Sequence, residues 1–188
     1  MHRVSCVASA AAAVFLTTFA TAWAVSAPGH VYTTQLLGDS TQSCVAAGPG
    51  GTFVALGPGF SAGAQSVVLV SESGATTVVA QGLNSVGDCA YDAGADVLYV
   101  TDNGLEAASA VTGDTVFAVP SASESTGLSA SGLELLPAGS VPAAASVALD
   151  ASGNVYVSDS AGGGAGSVLR LSAGAVEPFI ALGLDFAA

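Results

Sequence analysis

Ser146-Val147-Ala148-Leu149-Asp150-Ala151-Ser152-Gly153-Asn154-Val155-Tyr156-Val157-Ser158-Asp159 is the stretch on which the fold turns. It reads as a short apolar strand, an Asp-x-x-Gly-Asn tight turn and a second strand carrying an aromatic, closed by an aspartate. Two earlier stretches follow the same pattern. Cys89-Ala90-Tyr91-Asp92 leads to Leu98-Tyr99-Val100-Thr101-Asp102, and Cys44-Val45-Ala46-Ala47 leads to Thr52-Phe53-Val54-Ala55-Leu56, where Leu56 replaces the closing aspartate. Each copy is followed by two further apolar runs: 67–70 and 76–80, then 115–119 and 133–136, then 168–171 and 176–182. Helix periodicity is nearly absent after residue 30. Four strands per unit, three times over, is the sequence pattern of β-propeller blades. The expected fold is therefore all-β: about three four-stranded blades (43–87, 88–145 and 146–188) in an open arc.

The stretch 146–159 resembles an NHL-type repeat and the gluconolactonase/regucalcin family of six-bladed propellers. That resemblance implies architecture more strongly than activity, because many unrelated functions share the fold. It implies, as one reading, a metal-dependent sugar-lactone hydrolase using a divalent cation such as calcium, which takes oxygen ligands. Two of the family's ligands, a Glu and an Asn, fall two residues before the slot held here by Cys44, Cys89 and Val147. Those positions are Gln42, Gly87 and Ala145. Gln42 is the one oxygen donor among them, and Asp88 lies one residue from the slot. Gln42 and Asp88 are thus the candidate metal ligands.

The chain of 188 residues carries 2 Lys+Arg against 14 Asp+Glu, a formal charge of −12. Nucleic-acid binding needs clustered cations and is excluded on that balance. Disorder is also disfavoured, since 51 % of the residues are hydrophobic and only 9 % charged. Arg3 precedes an apolar stretch that ends at Ala22-Trp23-Ala24, a small-x-small cleavage pattern. Residues 1–24 are expected to be a signal peptide, with no stable membrane insertion after cleavage and a secreted or periplasmic destination. Residues 25–42 form a lead-in whose 30–37 segment reads as a lone outer strand. Gly183-Leu184-Asp185 aligns with Gly82-Leu83-Asn84, the lead-in to the second copy. Propellers close with about four to eight blades, so three units predict a segment of a longer protein.

Several motifs suggest chemistry and fail on context. Gly59-Phe60-Ser61-Ala62-Gly63 matches a nucleophile elbow, but no helix pattern and no histidine follow it. Gly162-Gly163-Gly164-Ala165-Gly166 lacks the Lys-Ser/Thr of a phosphate loop and reads as a hairpin tip. Asp92, Asp102, Asp150 and Asp159 recur at equivalent slots, which favours turn and strand-end hydrogen bonding over a single cation site. Phe53, Tyr99 and Tyr156 share a slot and are expected to pack between blades. Cys44 and Cys89 are either an interblade disulfide or two buried thiols: export favours the bridge, and equivalent slots in adjacent blades argue for a long separation. The preferred reading is an exported acidic binding or scaffold module for a small-molecule or protein ligand, with no assignable catalytic residue. The lactonase and a ligand-free structural array are the alternatives.

Overall fold

The computed structural model describes residues 43–58, 62–104, 113–160, 166–172 and 175–184, all within one compact unit. The signal segment, the 30–37 strand, Gln42 and most of both glycine-rich motifs lie outside the described residues. Among the described residues there is no helix, so none long and apolar enough to cross a membrane.

Among the described residues, twelve strands form three sheets. In the first, β1 (Val45–Gly48), β2 (Gly51–Leu56), β3 (Gln65–Ser71) and β4 (Thr76–Leu83) follow one another as antiparallel neighbours. In the second, β5 (Val86–Asp92), β6 (Val97–Asp102) and β7 (Thr115–Pro120) do the same. In the third, β9 (Ala144–Leu149), β10 (Val155–Asp159), β11 (Gly166–Ser172) and β12 (Ala175–Leu184) repeat the order of the first. The sequence reading of the second unit differs at its fourth strand. Residues 133–136 make only an isolated bridge, Phe117 to Glu134. The short β8 (Leu128–Ser129) instead pairs in parallel with β4 of the first sheet. Pro137 and the bends around it break the run, and backbone bonds from Ala118 N–H to the Leu133 carbonyl and from Leu135 N–H to the Val116 carbonyl hold it beside β7.

The first strands of the sheets are neighbours: β5 lies against both β1 and β9. Packing between sheets follows from strand alternation, which sends successive side chains to opposite faces. Phe53, Val67 and Val79 of the first sheet meet Cys89, Leu98, Val100, Phe117 and Val119 of the second in one core. Ala90, Tyr99 and Val116, on the other face of the second sheet, meet Val147, Val155, Val157 and Leu171 of the third. Registers make the three sheets equivalent. The shared aromatic stands opposite an alanine of the first strand each time: Phe53 with Ala46, Tyr99 with Ala90, Tyr156 with Ala148. Phe53 and Tyr99 point toward the following sheet, and the Phe53 ring packs on Tyr91 there with centroids 5.1 Å apart.

The same registers shift one expectation. Val45, not Cys44, pairs with Val54, the slot in which Cys89 pairs with Val100. Cys44 is one residue ahead of the position that Cys89 occupies in its own sheet. A one-residue offset reverses the face, so the two side chains approach from facing sides of neighbouring sheets. They form a disulfide with Cα atoms 5.3 Å apart, and both are buried. The long separation expected for equivalent slots does not apply.

Candidate functional site

Most of the recurring polar residues stitch the sheets together. Asp102 closes β6 and is fully buried. Its Oδ1 accepts from Ser85 N–H at 2.9 Å, and its Oδ2 from Asn84 N–H at 2.9 Å and Asn84 Nδ2 at 3.2 Å. These are the amides that lead into β5, where no ladder partner reaches them. Asp159 closes β10 and does the same for the entry to β9, accepting from Ala143 N–H at 3.2 Å. The expectation that these aspartates bond backbone at strand ends describes both.

The turn aspartates act similarly. Asp92 Oδ1 accepts from Gly94 and Ala95 N–H at 2.8 and 3.1 Å. Asp150 Oδ1 accepts from Ser152 and Asn154 N–H at 2.8 and 3.0 Å, and its Oδ2 accepts from Asn154 Nδ2 and Tyr156 Oη at 2.8 and 3.1 Å. Donors on every side favour the charged form. The Asn154 contacts, with Ser152 and Tyr156 adding to them, hold the Asp150 carboxyl down at about 2. A carboxylate depressed in the folded state stabilises it above the unfolded value and loses that contribution as pH falls through the folded one. We expect the urea midpoint to drop between pH 4 and pH 2, with Asp150→Asn flattening part of that fall; an unchanged profile in the variant would contradict this.

Asp96 is a residue that sequence reasoning missed. Its φ is +53°, a left-handed conformation that Asp and Asn tolerate better than most residues. From there its Oδ1 accepts from Ser123 N–H at 3.0 Å and Tyr91 Oη at 2.9 Å, and its Oδ2 from Ser123 Oγ at 2.8 Å. Hydrogen bonds from Ser123 backbone and hydroxyl lower its pKa. Burial, reinforced by Asp96, raises that of Tyr91. Asp96 thus pins the turn after β7 to the turn before β6. Nothing local in the sequence signals this, because Ser123 is 27 residues away.

The two Asp turns face each other across an open groove of about 580 Å³, lined by residues 91–95 and 149–153. Gly153 has φ +79°, and a Cβ added to it would stand 3.9 Å from Asp92 Oδ2. The groove is an open cleft that carries Asp92 and Asp150, with Tyr91 and Leu149 also among its lining.

Of the two residues implied as metal ligands, Gln42 lies outside the described residues and Asp88 spends its carboxylate on main-chain N–H groups. Asp88 Oδ1 accepts from its neighbour Cys89 N–H at 2.8 Å, and its Oδ2 accepts from Val147 N–H at 3.3 Å in the third sheet. Thr101 completes this junction: its Oγ1 accepts from Asp88 N–H at 2.8 Å and approaches the Ala145 carbonyl at 3.3 Å. Gly87 packs where an added Cβ would lie 2.4 Å from the Ala145 carbonyl oxygen. The slot is a close contact between the second and third sheets. Among the described residues no three His, Cys, Asp or Glu side chains gather as a metal would need. No protein-family model matches the chain, and no curated protein matches it.

Proposed function

We propose that this chain is an exported, acidic β-propeller segment that serves as a binding or scaffold module. The observation that carries the reading is the repeated sheet. Each unit begins with a strand beside the first strand of its neighbour, and in the first two units the second-strand aromatic faces the next sheet. Radial packing of this kind is what a propeller requires. The recurring carboxylates support a scaffold rather than a catalyst, since Asp88, Asp92, Asp96, Asp102, Asp150 and Asp159 each accept main-chain N–H bonds. The groove between the Asp turns is the place for a small or peptidic ligand, and its acidity turns anionic ones away. A disulfide joining two sheets suits an oxidising compartment.

Two measurements test this reading. Assay of the purified protein with sugar lactones and added calcium is expected to show hydrolysis no faster than the buffer; turnover that a chelator abolishes would replace the scaffold reading with the lactonase. Terminal sequencing of secreted material is expected to begin at Val25. A mature cytosolic chain still starting at Met1 would refute export.

A further inference from the structure

The third sheet repeats the geometry of the first but not its surface. The registers set Tyr156, Arg170 and Glu177 in one row across β10, β11 and β12, at the places that Phe53, Leu69 and Thr77 hold across β2, β3 and β4. Phe179 stands at the bulge of β12 as Val79 does at the bulge of β4. Phe53 and Val79 are buried against the second sheet. Their counterparts stay open: Phe179 is 57 % exposed, and the Arg170 and Glu177 side chains are 37 and 53 % exposed.

Each group on this open face is held by another. The Tyr156 hydroxyl donates to Asp150 Oδ2 at 3.1 Å, and Phe179 stands edge-on to the Tyr156 ring with centroids 5.0 Å apart. Arg170 Nη2 donates to Glu177 Oε2, and that contact, with Tyr156 beside the guanidinium, favours its charged form. A face so fixed loses little freedom when a ligand binds. An apolar covering does not suit it, because it would take the Arg170–Glu177 pair out of water at a cost that the pair's own attraction rarely repays. Pro178 likewise has no N–H to give a further strand.

The chemistry that does suit it is polar and uncharged. An exposed ring stacks on the C–H face of a sugar. A guanidinium and a carboxylate side by side offer donors and acceptors together, which is what two adjacent hydroxyls need. Glu177 already balances Arg170, the only Lys or Arg after Arg3, and a chain charge of −12 repels anionic polymers. We propose that Phe179, Tyr156, Arg170 and Glu177 form a binding site for an uncharged polysaccharide of the β-glucan type. Phe179 stacks on one sugar ring while Arg170 and Glu177 bond neighbouring hydroxyls. This inference rests on the binding-module reading, but not on the groove between the Asp turns.

Native electrophoresis of the full chain, through gels cast with hydroxyethyl cellulose, laminarin or alginate, tests it. At least one of the two glucans is expected to retard the protein, and anionic alginate is not. Phe179→Ala should weaken the glucan interaction about tenfold, the worth of one good aromatic contact, and Glu177→Gln should also weaken it, while Phe179→Tyr keeps it. Because Phe179 is exposed, its variants should melt within about 2 °C of the parent; if Phe179→Ala melts earlier, Glu177→Gln against Phe179→Tyr decides. Retardation by neither glucan, retardation that survives both Phe179→Ala and Glu177→Gln, or a dimer in sedimentation that Phe179→Ala dissociates would each overturn the proposal, the last by making a second copy the occupant. Retardation lost in Asp92→Ala but kept in Phe179→Ala would move the ligand to the groove, sinking this site and leaving the binding-module reading in place. That reading itself falls to chelator-sensitive lactone turnover, which these gels do not measure.

Discussion

Replacing Cys44 and Cys89 together by alanine is expected to lower the unfolding free energy by about 4 kcal/mol, the chain-entropy value for a 45-residue separation. The bridge closes a loop that contains β1 to β4, so its loss frees the unfolded chain far more than it disturbs the folded one. It also ties the residue before β1 to β5 at a point where the two sheets share no ladder. Urea unfolding of the oxidised protein and of the double variant gives the difference directly. Thiol counting on denatured, unreduced mature protein should find none free. Two free thiols per chain, or a difference below about 1 kcal/mol, would mean that the bridge does not constrain the unfolded chain as this argument requires.

Asp102→Ala is expected to cost about 3 kcal/mol, because it strands the buried Asn84 and Ser85 amides with no water to replace the carboxylate. Asp102→Asn is a sharper variant. It keeps the volume, but its amide nitrogen must face one of these N–H donors, so it should recover only part of the loss. Asp159→Ala, at the same slot of a half-buried junction, should lose clearly less, since solvent reaches the Ala143 amide more easily. Thermal melts of the three variants rank them. If Asp102→Ala proves no worse than Asp159→Ala, burial of the junction is not what gives Asp102 its weight.

How these residues were legible differs from case to case. The Asp turns could be read from sequence because an Asp-x-x-Gly-Asn turn satisfies its own amides within five residues, a local interaction with a local signature. Eleven of the twelve strands expected within the three units were legible for a like reason: apolar runs bounded by Gly, Asp and Ser match the strands observed. The run 133–136 was misread as a full strand because apolar content does not register the proline and bends that limit it to one bridge. Asp88 is a candidate ligand only through the resemblance, as the residue next to the implied slot at Gly87. Its actual work, accepting from Val147 across a sheet boundary, depends on a residue 59 positions away. Gln65 likewise buries its side chain to accept from Val86 N–H at 2.6 Å, and no pattern in either segment announces it.

By itself the sequence determined the all-β class, the three-fold recurrence, the turn chemistry and the slot shared by Phe53, Tyr99 and Tyr156, because each is a property of neighbours along the chain. Only the tertiary structure decided how the units meet. It set Cys44 one residue out of step with Cys89 so that the thiols face each other, lent β8 to the first sheet, committed Asp88 and Asp102 to junctions, and left Phe179 exposed where Val79 is buried. The physical reason is strand geometry. A shift of one residue reverses every side chain between faces, and that shift is fixed by packing between sheets, which periodicity within a strand does not encode.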